Sequence, residues 1–283
     1  MQNKLLTYGI IIIAFFQSCA LKKAQDNFSK DGYELVWSDE FSKLGQPDPA
    51  NWTYEKGFVR NQELQYYQSE NAYCKNGMLI IEARKEQMPN PGFKNDTKDW
   101  RKQRKFAEYT SACLITRGLK SWQYGRFEMR AKIDIADGLW PAFWTLGTNG
   151  NWPANGEIDI MEYYKGTLLA NIASAGRDGR PKWFSKTRPV IDLGGKKWSA
   201  SFHDWRMDWD SKSISLFVDD VLLNKTLLSE LDNENRNGIH PFKQEHYILL
   251  DLAIGGMHGG DPHKTKFPKQ FIVDYVRVYQ KTN

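Results

Sequence analysis

Cysteine is scarce in this chain: Cys19, Cys74 and Cys113 are the only three in 283 residues. None has a Cys-x-x-Cys or zinc-type spacing. Cys74 and Cys113 admit two readings, a disulfide or two buried thiols, because sequence does not show whether they meet. Histidine is sparse as well, with five residues and no ligand spacing such as His-Glu-x-x-His, which argues against a catalytic zinc. Helical periodicity is nearly missing; only Leu227–Leu231 offers a turn. There is no internal repeat and no sign of a second folded domain. No apolar run reaches the length of a membrane span. No nucleic-acid recognition motif is present, so no nucleic-acid partner is expected.

Aromatic residues are abundant instead: 11 Trp, 13 Tyr and 15 Phe. A large aromatic core accounts for many of them. Flat rings lining an open cleft, on which sugar rings stack, are the second reading, because Trp often keeps one edge wet. Hydrophobic residues at 41% and charged residues at 26% fit a soluble globular protein. The net charge of +5 is mild but uneven. Arg84, Lys85, Lys94, Lys98, Arg101, Lys102, Arg104 and Lys105 face only Glu86, Asp96 and Asp99 between positions 84 and 105. That window reads as a solvated loop, or as a rim that steers an anionic glycan.

The N-terminus reads as an address. Lys4 precedes an apolar run from Leu5 to Phe16, which ends at Phe16-Gln17-Ser18-Cys19. A small residue before Cys at the end of such a run resembles a bacterial lipoprotein cleavage site. Residues 1–18 are thus expected to be a signal peptide, with Cys19 the lipidated first residue of the mature protein. Residues 19–31 would be a polar tether. Residues 32–283 would be one catalytic domain, held at the outer membrane, the cell surface or in the periplasm by the lipid anchor alone. A monomer is expected.

From Gly32 to Lys281 the chain reads as short β segments separated by turns. Gly125–Ile133 alternates Phe127, Met129, Ala131 and Ile133 with Arg126, Glu128, Arg130 and Lys132, a half-buried strand. Trp205–Trp209 and Ser213–Val218 flank Asp210-Ser211-Lys212, a hairpin signature. Many strands at short spacing predict an all-β sandwich of two antiparallel sheets. Gln87–Gln103 and Gly176–Ser199 read as long irregular insertions of the kind that carry function.

The segment Glu157-Ile158-Asp159-Ile160-Met161-Glu162 places three acids in six residues of a strand-like run. Side chains alternate along a strand. Glu157 and Asp159 share a face, but strict alternation sends Glu162 to the isoleucine side, where a lone carboxylate is costly. One extra residue near Ile160-Met161, a β-bulge, returns Glu162 to the acidic face. Four effective strand steps then separate the Glu157 and Glu162 Cα atoms by roughly 13 Å, close enough for the carboxyls to act together. Asp159, between them, couples their titrations. Trp140, Trp144, Trp152, Tyr163 and Tyr164 surround the acids, an environment that raises one carboxyl's pKa and makes a general acid. An exposed acidic strand face without chemistry is the bland reading.

These residues carry a family resemblance. The acidic strand resembles the active-site strand of glycoside hydrolase family 16, and Met161 resembles the extra residue of its laminarinase-like branch. Trp37–Phe41, Arg60–Tyr67, Gly138–Trp144 and Asp274–Tyr279 resemble other blocks of that family in order. The resemblance implies a β-jelly-roll with an open substrate cleft and retaining, endo-acting hydrolysis. By position, Glu157 would be the nucleophile, Glu162 the general acid and base, and Asp159 the helper between them. Trp140, Trp144 and Trp152 would be stacking platforms, and Asn61 and Glu63 polar contacts near the scissile sugar. No cofactor is implied for catalysis. Many relatives hold a structural Ca2+, for which Glu40, the Gly77 carbonyl and Asp274 are the matching positions.

One departure bears on the substrate. Many β-1,3-glucan-cleaving relatives carry Asn-Trp after a Gly-Gly where this chain has Gly255-Gly256-Met257-His258. His258 would face the substrate or simply be solvated. The first expectation is an endo-β-1,3- or 1,3-1,4-glucanase acting on a polysaccharide or oligosaccharide. The second is an endo-β-galactosidase acting on an algal galactan or a host glycan. A non-catalytic glycan-binding lipoprotein, the third, predicts loss of a catalytic carboxylate, yet both are present.

Overall fold

The computed structural model describes residues 32–235 and 238–282. The expected signal peptide at 1–18, Cys19 and the 19–31 tether lie outside them. Strands are numbered in chain order. The front sheet runs β14 (Pro181–Pro189), β13 (Thr167–Ala175), β12 (Glu157–Tyr164), β11 (Leu139–Gly147), β18 (His246–Ile254), β9 (Cys113–Ile115) and β2 (Thr53–Tyr54). The back sheet runs β17 (Val221–Leu227), β16 (Ser213–Val218), β15 (His203–Trp209), β10 (Gly125–Lys132), β19 (Lys269–Lys281), β5 (Met78–Ala83) and β4 (Ala72–Lys75). Strand β1 (Tyr33–Asp39) also pairs with β19. Two short ladders stand apart: β3 (Gln65–Tyr67) with β8 (Tyr109–Ser111), and β6 (Met88–Pro89) with β7 (Phe106–Ala107). Both large sheets are antiparallel, and they form the two-sheet jelly roll expected from the sequence.

The alternation read in the sequence becomes the core. On β10, Phe127, Met129 and Ala131 are fully buried between the sheets. Arg126 points outward and pairs with Asp208 through its Nε at 2.7 Å and Nη2 at 3.1 Å. The front sheet contributes Phe143, Ile158, Ile172, Ile248, Leu250 and Leu252 to the same core. Each such side chain stabilises the fold by about 1.5–3 kcal/mol relative to exposure. Trp52, Trp205 and Trp209 are among the largest fully buried side chains, so part of the aromatic content is core. The Asp210 hairpin forms as expected, with Asp210 Oδ1 accepting from the Lys212 and Ser213 amides at 2.8 and 2.9 Å.

Two segments differ from the expected irregular loops. Gly176–Ser199 contains β14, which pairs with β13 over nine residues and forms the edge of the front sheet. An edge strand has one solvated face and one free backbone rim, so it tolerates Pro and Lys and loses the usual apolar signature. Gln87–Gln103 is pinned in place. Asn90 Nδ2 donates to the carbonyls of Arg101 (2.8 Å) and Arg104 (2.9 Å). Arg104 lies over the Phe58 ring at 3.8 Å and donates to the Glu63 carbonyl at 2.7 Å. The basic window is therefore partly an anchor for the 58–64 segment. Cys74, on the back sheet, and Cys113, on the front sheet, are both buried free thiols.

Candidate active site

The site is built on β12. Asp159 pairs with Asn171 of β13, and Glu162 pairs with Leu169, so Ile160 and Met161 together stand opposite Ala170. Toward β11, Asp159 pairs with Trp144 and Met161 with Phe143, leaving Ile160 unpaired. This is the bulge expected at Ile160-Met161. Both bulge side chains are fully buried in the core. Glu157, Asp159, Glu162 and Tyr164 consequently share the outward face of the front sheet.

Neighbouring strands fix the carboxylates. Trp140 Nε1 donates to Glu162 Oε1 at 2.7 Å, and Asn171 Nδ2 donates to Glu162 Oε2 at 2.7 Å. The same Asn171 amide reaches Asp159 Oδ2 at 3.1 Å. Trp152, half exposed above the strand, donates its indole N–H to Glu157. Burial pushes the Glu162 carboxyl up to about 8; the Trp140 donor opposes this and the Glu157 charge adds to it. Burial, then the charges of Glu157 and Glu162, hold Asp159 well above the usual carboxylate range. Burial also raises Glu157, but the Trp152 N–H and the Asp159 hydrogen bond pull it back. Like-charged acids this close cannot all ionise. The hydrogen bond between Asp159 and Glu157 raises Asp159 and lowers Glu157, so Asp159 is its donor.

A second tier lies on the β18 side. Asp251 accepts from Tyr67 Oη at 2.9 Å and from Trp144 Nε1 at 2.7 Å. Burial raises Asp251 to about 6, while Arg60 lowers it. Arg60 pairs with Glu55 and lies over the Trp144 ring at 4.9 Å. Trp144 is thus held by its edge and covered on a face. Glu63, only 2% exposed, accepts from Asn61 Nδ2 at 3.2 Å and Gln65 Nε2 at 2.7 Å. Burial raises it to about 7 against the opposing Arg60. Met257 and His258 lie on one helical turn, Gly256–Gly259, whose Met257 amide donates to the Asn61 carbonyl at 2.9 Å. Gly256 sits there at φ 67°, where a Cβ would come within 2.7 Å of that carbonyl. His258 stacks on Tyr164 at 5.6 Å and meets the Trp140 ring edge-on at 5.4 Å.

The structure therefore brings Glu157, Asp159, Glu162, Asn61, Glu63, Trp140, Trp144, Trp152 and His258 to one face. Glu40, Gly77 and Asp274 belong elsewhere, at the back sheet, near where β19 passes from β5 to β1. Their expected calcium role does not fit the side chains. Arg277 takes both Glu40 oxygens, at 2.7 and 2.9 Å, and Arg130 stands 3.5 Å from Asp274. A cation there would face two guanidinium groups. Among the described residues, no group of three or more His, Cys, Asp or Glu side chains is placed to hold a metal.

Sequence reasoning missed Asn171, Asp251, the bracing role of Arg60 and the ring contact of Tyr164. Asn171 and Asp251 had a signal available. Each is a polar residue flanked by apolar neighbours within a largely apolar strand, and a buried polar side chain is the informative exception to apolar burial.

Paired carboxyls on the outward face of a jelly-roll sheet are the arrangement that glycoside hydrolysis requires. The chain belongs to glycosyl hydrolases family 16, whose family model matches residues 60–277. It is a glycosidase that hydrolyses O-glycosyl bonds and uses no cofactor for catalysis. The beta-glucanase of Rhodothermus marinus is 37% identical over 300 residues, covering 98% of this chain and 96% of that protein. The crystal structure of the laminarinase from Rhodothermus marinus superposes with a TM-score of 0.71 at 38% identity, covering 89% of this chain and 98% of that one. A solved structure described as "Prominent members of the human gut microbiota express endo-acting O-glycanases to initiate mucin breakdown" superposes with a TM-score of 0.81 at 34% identity, covering 89% and 92%.

Proposed function

We propose that this protein is a retaining endo-β-1,3- or 1,3-1,4-glucanase in which Glu157 is the nucleophile and Glu162 the acid and base. The observation that carries this reading is the bulged face of β12, which places Glu162, raised to about 8 by burial, on the same face as Glu157, which accepts from Trp152 and Asp159. Glu157 attacks the anomeric carbon as the bond to the leaving sugar breaks. Glu162 gives its proton to the departing oxygen, leaving a glycosyl ester on Glu157. The Glu162 carboxylate then takes a proton from water. The water oxygen attacks the anomeric carbon and frees Glu157, so two inversions give net retention. Asp159 acts as positioning residue by keeping a proton aimed at Glu157. Trp152, half exposed, would present its ring to the sugar as well as its N–H to Glu157; Trp140 and Trp144, expected as stacking platforms, are each only 7% exposed and would line the wall with Asn61, Glu63 and His258.

Glucan as substrate rests on the full-length likeness to the Rhodothermus beta-glucanase. Two observations support a second reading, a galactose-containing or mucin-type O-glycan: the higher structural likeness to the O-glycanase, and Met257-His258 where a stacking ring is expected. Incubation of purified protein with laminarin, mixed-linkage glucan, keratan-type chains and mucin O-glycans separates them. Laminarin cleavage with a β-configured first product, followed by proton NMR, is expected. An inverted product would end the retaining mechanism, and turnover of the lactosamine chains alone would replace the glucan reading.

Cleavage before Cys19 and lipidation would leave a monomeric catalytic domain, residues 32–283, tethered to a membrane only by its lipid. Incorporation of labelled palmitate that disappears in Cys19→Ser is the expected result; a mature protein starting elsewhere would reject it.

A further inference from the structure

The edge strand β14, read from sequence as part of a loop, extends the face that holds the acids. Register places Leu146 of β11, Glu157 of β12, Ala173 of β13 and Trp183 of β14 in one row. The next rows are Trp144, Asp159, Asn171 and Ser185, then Ala142, Glu162, Leu169 and Thr187. Alternation puts Trp183, Ser185 and Thr187 on the same face as the three acids. Burial agrees around Trp183: it is exposed between half-buried Lys182 and Phe184, and Ser185 and Thr187 are exposed with Lys186 between them.

Trp183 is unusual among these side chains. It is 44% exposed, on a strand whose inner face already packs through Phe184. Among the described residues no other ring stacks on it. Its cross-strand neighbour Ala173 offers only a methyl group, so no tall side chain on β13 separates it from Glu157 in that row. Two strand spacings set it roughly 10 Å from the β12 backbone. A flat indole beside two hydroxyls suits a pyranose ring, whose C–H face stacks on aromatics and whose hydroxyls need hydrogen-bond partners. Trp140 and Trp144 lie on the other side of β12, on β11.

We infer that Trp183, with Ser185 and Thr187, forms a distal sugar-binding subsite on the β14 side of the cleft that engages chains long enough to cross β13. The inference rests on the reading of Glu157 and Glu162 as the catalytic pair. It makes Trp183 a residue that selects for chain length rather than one that takes part in bond cleavage.

Binding isolates the subsite from turnover. Titration calorimetry on Glu157→Gln protein, with and without Trp183→Ala, would use trisaccharides and hexasaccharides of laminarin and of poly-N-acetyllactosamine. The expected result is about a tenfold weaker Kd for the bound hexasaccharide, a less than twofold change for the trisaccharide, and retention of most affinity in Trp183→Phe. Equal affinity for the hexasaccharide in both proteins would overturn the inference. So would equal weakening for both lengths, which would indicate a merely structural ring. Failure of the glucan reading registers separately: the wild type would then cut and bind the lactosamine series, on which Trp183 is judged by the same comparison.

Discussion

At the scale of single residues, function depends on how burial and hydrogen bonds set the carboxyls of β12. Glu162 is held near about 8 by burial, against the pull of the Trp140 N–H. A hydrogen-bond donor favours the ionised carboxylate, so removing it raises the pKa. Trp140→Phe is expected to move the alkaline limb of the kcat/KM profile to higher pH, measured across pH 5 to 10; an unmoved limb would mean that another group sets it. Removing the acid itself has a larger effect. Glu162→Gln should lower kcat by ~10²–10⁴-fold, and Glu157→Ala should lower it at least as much, while thermal unfolding midpoints stay near wild type. Steady-state kinetics on purified variants would check both, and unchanged rates would sink the mechanism.

At the scale of elements, one inserted residue gives the site its shape. The bulge turns Ile160 and Met161 both into the core and so lets Glu162 rejoin Glu157 and Asp159. A regular strand would send Met161 to the wet face, where a polar side chain costs little. In the bulged strand, Met161→Gln buries an amide with no prepared partner. It should destabilise the protein by about 1–3 kcal/mol in urea unfolding, and a neutral result would contradict the bulge. The same element scale explains the misread segment at 176–199. Strand β14 has one face in water and one free rim, so its sequence carries Pro, Lys and Trp where a central strand carries aliphatics.

At the scale of the whole molecule, the buried acids tie stability to pH. Glu63, Asp251 and Glu162 are raised to about 7, 6 and 8, and Asp159 is raised well above its ordinary value. Acids with raised folded pKa values bind more protons folded than unfolded, so stability falls as pH rises through the interval. The contribution is complete below the ordinary carboxylate value of about 4 and is lost progressively toward pH 8 for Glu162. The unfolding midpoint should therefore drop between pH 5 and pH 9, and Asp159→Asn should flatten that slope; equal slopes would show that Asp159 is already ionised. The back sheet carries a second whole-molecule expectation. Both Glu40 oxygens accept from Arg277, so EDTA should leave the unfolding midpoint unchanged. A large drop on chelation would restore the calcium reading at Glu40, Gly77 and Asp274.

The sequence by itself determined the two-sheet fold, the acidic face and even the bulge, because those depend on local alternation. A period of two read along β10 and β12 predicts burial, and three acids in six residues force the extra residue at Ile160-Met161. It also placed Trp140 and Trp152 beside the acids. The tertiary structure alone decided what lies across from them. Asn171 bridges Asp159 and Glu162 from the adjoining strand, Asp251 braces Trp144 from a residue 107 positions away, and Arg277 pairs with Glu40. Those partners are set by strand order and register, which long-range pairing fixes and no local pattern encodes. For the same reason Trp183, in a stretch that reads as a loop, lies in the row of Glu157 only once β13 and β14 pair.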